Sequence, residues 1–357
     1  MKRILPNKIY SGKSHGGHVQ GIAVDEARGF VYYAFTTELI KTDLEGNLLG
    51  SVVNLIGHLG CIAYDAEKNK LYGSLELKHD GIGMGIVNHT GKSLADEDAF
   101  YIVSFDVEGI TEVGIDAEKS GIMRAVYLRN VFLDYTEKDE ASGAPHRYGC
   151  SGIDGISIGP EFGRQGGERD KVVVTYGVYR DNERGDNDYQ VLLQYDKSVF
   201  DEYAKPLIQA EPHHNGPESF ERRYFFYTGN TTFGIQNLEY DPFTGYWFVA
   251  VYDGQKPAFR NFKMYYIDGG VAPRNEELRG RDGEVGAVLS PAMLGERDGE
   301  YIRGCRFPYG STGMASLGDG YFYFSEDGRD PEDKAFYTNV RKYRFDKNSN
   351  NLFEAVE

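Results

Sequence analysis

The chain repeats a pattern of short apolar stretches that are separated by polar breaks. Residues 18–47, HVQGIAVDEARGFVYYAFTTELIKTDLEGN, contain an apolar run, an aromatic run and a third run that is closed by Asp43 and a turn with Gly46. Runs of this length that are rich in β-branched and aromatic residues and bounded by turn formers predict β-strands. The unit therefore predicts a small antiparallel sheet.

The same unit recurs along the chain. Its first run recurs as HLGCIAYD (58–65), SGIDGISIG (151–159), FGIQNLEYD (233–241) and STGMASLGD (311–319), which makes five starts. Each start is followed by an aromatic-rich run and by a third run that ends in Asp, and a fourth run is visible in some units as NLLGSVV, EVGAVLS and NLFEAV. No helical periodicity intervenes, so the repeat predicts five sheets of about four strands each.

Five such sheets fit a β-propeller, in which radially repeated small sheets protect their own edges. We predict an all-β fold in which residues 1–357 form one five-bladed propeller of four-stranded antiparallel blades around a central channel. The predicted blades lie near residues 18–56, 57–135, 150–208, 230–291 and 310–357. A β-sandwich followed by a second domain is the competing architecture, because sandwiches also contain short strands at similar spacing. The last blade could be completed by RILPNKIY at the start of the chain or by NLFEAV alone.

Along nearly the whole chain, these units resemble the loose propeller repeats of six-bladed lactonases and seven-bladed strand-repeat proteins. The resemblance implies a propeller and no particular activity. Five-bladed arabinan-cleaving glycosidases are expected to place an Asp on the first inner strand, where this chain has His18 and Gln20. A full set of the acidic and amide residues with which gluconolactonase-like propellers bind a metal is not recognisable.

Charge and composition narrow the classes of partner. The net charge of −16 argues against a nucleic-acid or anionic-membrane binder, because the summed field would repel phosphate groups. The three cysteines share no metal-type spacing, which argues against a disulfide framework or a zinc site. The first residues contain no apolar signal-peptide core and no later segment is apolar enough to span a membrane, so we expect a soluble, by default cytoplasmic, protein. A secreted protein whose signal peptide had been removed would have the same pattern.

The end of the propeller that carries function is indicated by its loops. In a four-stranded blade, the connections between the second and third strands and those leading to the next blade lie at one end, which we call the top. The top connections are mostly long, whereas the bottom ones are mostly tight turns, and long loops on a rigid scaffold are usually functional. All the histidines fall in top connections or at the top ends of first strands: His15, His18, His58, His79, His89, His146, His213 and His214.

The repeat alignment also predicts which side chains face the channel. Gln20, Asp154 and Gln236 fall at one level, with His18 and His58 one step above. These residues form a candidate ligand pocket, and His18, His58, Asp154 and Gln236 form a candidate site for a single divalent cation, since imidazole, carboxylate and amide groups bind such ions. A ring of polar side chains that holds only water is the plainer alternative.

Further candidates lie at the top rim. The second strands end near Glu76, Arg180 and Glu326, so Glu76 or Glu326 could act as an acid beside His18 or His58 acting as a base. Arg147 and Arg180 are candidate anchors for an anionic group, and Tyr148 and Tyr309 are candidate stacking platforms for a sugar ring. Solvated or locally paired side chains would have the same sequence pattern.

Two functions are compatible with these residues. The first is a hydrolase or lyase that acts at the top of the channel on an acidic or phosphorylated, saccharide-like small molecule. The second is a carbohydrate-binding or protein-interaction propeller without chemistry. The polar axial residues favour the enzyme, because a channel that only supports the fold could be filled by apolar side chains.

Overall fold

The computed structural model describes residues 3–164, 166–229, 232–349 and 351–357. Its strands form five mainly antiparallel sheets. The first strand of each sheet packs against the first strands of the two neighbouring sheets, so the five first strands close a ring around a central channel. The predictions of an all-β fold and of a five-bladed β-propeller are both confirmed.

Each blade has four main strands, which follow one another from the axis outwards. Their bounds are Val19–Asp25, Phe30–Phe35, Glu38–Asp43 and Leu48–Val53 in blade 1; His58–Asp65, Lys70–Leu77, Ala99–Asp106 and Met123–Tyr127 in blade 2; Cys150–Gly159, Lys171–Val178, Tyr189–Asp196 and Arg222–Tyr227 in blade 3; Thr232–Asp241, Tyr246–Tyr252, Met264–Asp268 and Ile302–Cys305 in blade 4; Met314–Ser316, Tyr321–Arg329, Phe336–Phe345 and Lys8–Ser14 in blade 5.

Shorter elements extend the blades at their outer edges and tops. The added strands are Ile115–Asp116 on blade 1, Lys205–Pro206 on blade 2, Arg274–Glu277 and Val285–Val288 on blade 3, Glu296–Asp298 on blade 4 and Phe353–Ala355 on blade 5. The helices are α1 (Gly81–Thr90), α2 (Arg129–Thr136), α3 (Val199–Tyr203) and a short 3₁₀ helix at Arg147–Gly149. In the described part of the chain, none of the helices is long and apolar enough to cross a membrane.

Both ends of the chain complete the last blade. Lys8–Ser14 pairs antiparallel with the first half of strand Phe336–Phe345, and Phe353–Ala355 pairs with the last three residues of the same strand. The two segments therefore share one outer edge. Joining the two ends of the chain in one sheet closes the ring, which removes the exposed edge that an open propeller would have there.

One predicted strand belongs to a different blade. NLLGSVV contains the fourth strand of blade 1, as predicted, but EVGAVLS does not complete blade 4. Its residues Val285–Val288 instead pair in parallel with the outer strand of blade 3, and Ile302–Cys305 is the fourth strand of blade 4. The apolar pattern of a strand does not specify the edge that it pairs with, so this assignment could not be made from the sequence.

The hydrophobic core is divided into five layers, each of which lies between two neighbouring blades. Every layer contains aromatic side chains, and Trp247, Tyr72 and Tyr265 are fully buried. The first strands approach one another closely at the axis, where a Cβ at Gly21 would lie 2.8 Å from Ile62 N of blade 2. Close packing on both sides of every blade holds the axial side chains in place.

Candidate functional site

Three residues that could bind a metal meet at the top of the channel. His58 begins the first strand of blade 2, Glu76 lies opposite it on the second strand, and Asp154 lies on the first strand of blade 3. His58 Nδ1 lies 3.6 Å from Glu76 Oε2 and 3.7 Å from Asp154 Oδ1. One ligand atom from each residue lies within 4.8 Å of the other two. We call these three residues the axial cluster.

The axial cluster is buried, and one of its atoms has no partner. His58 and Glu76 are only 8% and 3% exposed. Among the described residues, no group forms a hydrogen bond with the buried His58 Nδ1. Leaving a buried polar atom unsatisfied costs about 1–3 kcal/mol, and native proteins rarely do so. The nitrogen therefore faces two carboxylates across a space that a further group would have to fill.

A buried lysine supports the axial cluster from blade 2. Lys78 Nζ lies 2.8 Å from Glu76 Oε2 and 3.4 Å from Asp80 Oδ2. The same ammonium donates a hydrogen bond of 2.7 Å to Ser151 O. Asp80 is also the N-cap of α1, so the start of this helix is attached to the site. With all groups ionised, the carboxylates of Glu76, Asp80 and Asp154 exceed the single ammonium by two negative charges.

Burial shifts the pKa value of each residue of the axial cluster in the direction that favours its neutral form. Burial raises the pKa of Glu76 to about 8, although Lys78 opposes this shift. Burial likewise raises the pKa of Asp154 to about 6, against the effect of Lys78 and a hydrogen bond from Gln236. Burial lowers the pKa of His58 to about 3, and the charge of Lys78 lowers it further. His58 is thus neutral at physiological pH and has a lone pair to offer.

A second histidine lies beside the axial cluster in a neutral hydrogen-bonded group. His18 Nε2 lies 3.1 Å from Gln20 Nε2 and 3.2 Å from the Tyr252 hydroxyl. Through this one ring nitrogen, His18 contacts two neutral side chains. Burial lowers the pKa of His18, and the nearby Asp327 opposes that shift. The structure therefore brings His18 and Gln20 together, but in a group of their own.

Gln236 holds the carboxylate of Asp154 in position. Its amide nitrogen donates to Asp154 Oδ2 at 3.1 Å and to Phe233 O at 3.0 Å. At the top opening of the channel, which we call the mouth, Thr312 Oγ1 of blade 5 donates to Asp327 Oδ1 at 3.1 Å. Of the four residues predicted to bind a cation, His58 and Asp154 thus offer facing ligand atoms, whereas His18 and Gln236 make their contacts in the surrounding layer.

The remaining predicted residues make their contacts elsewhere. Glu326 accepts a hydrogen bond of 2.6 Å from the Tyr343 hydroxyl in its own blade, while the adjacent Asp327 points to the mouth, as expected for alternating strand residues. Arg180 donates to Gln255 at 3.2 Å. Tyr309 packs against Phe307 and Tyr343 in the core of blades 4 and 5.

Arg147 and Tyr148 belong to a network at the outer side of blade 3. The Tyr148 hydroxyl donates to Glu284, and Arg147 lies 3.6 Å from the same carboxylate. Tyr148 is 4% exposed, so it offers no face on which a sugar ring could stack. These contacts hold the extra hairpin of blade 3, which is formed by strands Arg274–Glu277 and Val285–Val288. They do not reach the axial cluster.

Lys78, Tyr252 and Asp80 were not among the residues predicted from the sequence. A signal existed for Lys78, because it follows Glu76 by two residues at the end of a strand and must point to the same face. Tyr252 ends the second strand of blade 4, but tyrosine occurs in the second strands of all five repeats, so its type did not single it out. The partnership of Lys78 with Ser151 O joins blades 2 and 3 and was not visible in the sequence.

Gly152 provides a test of how tightly the axial cluster is built. Its φ is +113°, and a Cβ at this position would overlap Glu76 Oε1. We expect Gly152→Ala to lower the free energy of unfolding by at least about 2 kcal/mol, because both the backbone and the Glu76 carboxylate must move. Urea denaturation measures the change.

Gly143→Ala is the matched control, since Gly143 also has a positive φ of +69° but open space around its missing Cβ. It should cost about 1 kcal/mol, the backbone penalty alone. An equal loss in the two variants would show that the contact with Glu76 is not tight.

Comparison with known proteins identifies similar folds only. No protein-family model matches the chain. No curated protein matches it either. The arabinanase Arb43A of Bacillus subtilis is 10% identical, with 94% of this chain and 97% of the arabinanase covered at a TM-score of 0.41. The GH32 β-fructofuranosidase of Bombyx mori is 10% identical, with 97% and 64% covered at a TM-score of 0.44. The β-propeller domain of Cps50 (Swd1) from Myceliophteria thermophila is 8% identical, with 90% and 83% covered at a TM-score of 0.33.

Proposed function

We propose that the axial cluster binds one divalent cation and that the protein is a metal-dependent hydrolase for a small, hydroxyl-rich, saccharide-like molecule. The observation that carries this proposal is the buried His58 Nδ1, which faces two carboxylates and has no hydrogen-bond partner among the described residues. A cation between the three groups would supply the missing partner of His58 Nδ1.

The spacing and the charge of the site both suit such an ion. A metal bound tetrahedrally at about 2.1 Å from nitrogen and oxygen ligands keeps those atoms roughly 3.4 Å apart. The separations of 3.6 and 3.7 Å around His58 Nδ1 are close to this value. A charge of +2 would also balance the two excess negative charges of the surrounding carboxylates and Lys78. One imidazole and two carboxylates suit zinc, manganese or ferrous iron.

Three protein ligands with an open position are typical of catalytic metal sites, whereas structural sites are closed. A bound ion can polarise a substrate oxygen and lower the pKa of a water molecule. Glu76 is too deeply buried to touch a sugar, so its role here is to bind the ion. The side chain of Asp154 is 14% exposed and lies closer to the mouth.

The groups at the mouth favour an uncharged, hydroxyl-rich substrate. His18, Tyr252 and Thr312 offer neutral donors and acceptors, and the charged groups beside them, Asp154 and Asp327, are carboxylates. Arg147 and Arg180, which the sequence suggested as anion anchors, are engaged by Glu284 and Gln255. Carboxylates commonly accept hydrogen bonds from sugar hydroxyls, whereas they would repel a phosphate or a uronic acid.

Elemental analysis of the purified, untagged protein tests the metal, and a substrate screen tests the chemistry. We expect about one divalent ion per chain, and hydrolysis of at least one nitrophenyl glycoside or sugar lactone that stops after chelation and resumes when the ion is restored. A bound ion without turnover would contradict the enzyme but retain the metal site. Turnover that persists in metal-free protein would contradict the proposed role of the ion.

A further inference from the structure

A cavity of about 440 Å³ lies at the bottom end of the channel, far along the first strands from the axial cluster. All five blades contribute to its wall, through residues at the bottom ends of their strands and in the adjoining turns. Its volume lies within the range of about 300–1,000 Å³ that is usual for small-molecule sites. The long loops and the histidines of the sequence lie at the top, so this cavity was not among the predicted sites.

Buried side chains separate this cavity from the axial cluster. Asn237 is 1% exposed and lies in the channel between the two ends. Its amide nitrogen donates to Gln20 O at 2.9 Å and to Ser311 O at 3.0 Å, and Cys61 Sγ lies 3.2 Å from its amide oxygen. These bonds join blades 1, 2, 4 and 5 across the axis, so the bottom cavity is independent of the proposed metal site.

The wall combines an apolar floor with an excess of negative charge. Ile22, Ile62 and Ile158 contribute to the floor, together with small alanines. The charged wall residues are five carboxylates and two cations, a formal excess of three negative charges: Asp25, Glu26, Asp65, Glu67, Glu239, Arg169 and Lys197. Such a site attracts cations and repels phosphate or carboxylate ligands.

Part of this charge is already paired inside the wall. Lys197 lies 2.8 Å from Asp65 Oδ2 and 3.0 Å from Glu67 Oε2. Asp65 is 5% exposed, and its Oδ2 has this ion pair but no hydrogen bond of acceptable geometry. Arg169 donates from Nε and Nη2 to the Ile158 carbonyl. Neither cation of the wall therefore forms an ion pair with Glu239 among the described residues.

Glu239 has an oxygen that can still accept a ligand. Its Oε1 accepts a hydrogen bond of 2.9 Å from Ser316 N, and the described residues provide no hydrogen bond to Oε2. Burial raises the pKa of Glu239 to about 7, although the charge of Arg169 opposes this shift. A cation beside Oε2 would offset the cost of keeping this carboxylate ionised in the cavity.

We propose that the bottom cavity is a second ligand site, which takes an alkylamine with two or more ammonium groups. One ammonium group would bind Glu239, the methylene chain would lie on the isoleucine floor, and the other ammonium groups would face the rim carboxylates Glu26 and Glu67. This combination of an apolar chain with spaced positive charges matches both properties of the wall. The site does not depend on the metal-dependent activity proposed for the top.

Isothermal titration calorimetry with putrescine and spermidine tests this site. We expect saturable binding of one molecule per chain, which weakens as salt is added because part of it is electrostatic. Glu239→Gln should weaken binding at least tenfold, since it keeps the acceptor for Ser316 N and removes the charge. Ala66→Lys, an exposed change at the rim, should also weaken binding by repulsion.

Two control variants show whether the amine binds in this cavity. Glu45→Gln removes the same charge from an exposed bottom turn outside the cavity and should leave the affinity unchanged. His58→Ala, in the axial cluster, should leave it unchanged as well. Absence of binding to both amines, equal losses in the Glu45 and Glu239 variants, or preferential binding of inorganic phosphate would each overturn the proposal.

Discussion

Replacing His58 by alanine should weaken the binding of the divalent cation at least 100-fold, and the purified variant should contain essentially no metal. Loss of an outer group that merely orients a metal ligand already costs about 10–100-fold in affinity, and His58 would supply one of three direct ligands. The two carboxylates that remain would still be held together with Lys78, which repels the ion. Metal content by mass spectrometry and competition with a chromogenic chelator measure the change.

His79→Ala is the matched control for this variant. His79 also lies at the top of blade 2, but it is exposed and pairs with Asp98 at 3.0 Å. It should retain the metal content of the natural protein. Both variants should remain folded, since His58 Nδ1 has no hydrogen bond to lose among the described residues. Metal retained in folded His58→Ala protein would rule out the axial cluster as the binding site.

Replacing Arg281 by alanine should lower the free energy of unfolding by about 3–5 kcal/mol, the usual cost of breaking a buried ion pair from one side. Arg281 is 2% exposed and donates to Asp139, which is 1% exposed. It also donates to Glu284 Oε2 at 2.7 Å, and its guanidinium lies 4.2 Å from the centre of the Tyr148 ring. The substitution leaves the carboxylate of Asp139 buried without this cation and removes the side-chain contacts that Arg281 makes with Asp139, Glu284 and Tyr148.

Arg274→Ala on the same hairpin is the control. Arg274 pairs with Glu276 at 2.8 Å, but the two side chains are 55% and 40% exposed. Solvent-exposed pairs contribute at most about 1 kcal/mol, so this variant should unfold close to the natural protein. Urea denaturation followed by tryptophan fluorescence suits both, because Trp247 is fully buried. A loss below about 1 kcal/mol in Arg281→Ala would mean that the hairpin is held mainly by its strand pairing.

The alignment of the repeats predicted which residues reach the axis, because equivalent positions of the first strands lie at similar depth in blades that are arranged around one axis. His58 and Asp154 were singled out in this way and lie side by side. Glu76 was singled out as the end of a second strand, and the register places it opposite His58. Their assignment as metal ligands or catalytic groups stays a prediction.

Contacts between blades could not be anticipated in this way. Lys78 binds Ser151 O of the next blade, and Asn237 bridges blades 5 and 1 from blade 4. Glu326 and Asp327 are adjacent in sequence, yet only the pairing of their strand decides which one faces the mouth. The same applies to Val285–Val288, whose apolar pattern fits the edge of blade 3 or of blade 4 equally well.

The all-β class, the number of blades and the group of polar residues near the axis are predictable from local periodicity, because the same pattern recurs in every repeat. The tertiary structure alone decided that His58, Glu76 and Asp154 converge, that His18 joins Tyr252 instead, that both chain ends complete blade 5 and that a charged cavity opens at the bottom. Each of these depends on distances between blades. Those distances are set by the packing of the hydrophobic layers and by the close approach of the first strands around the channel. No single repeat contains that information.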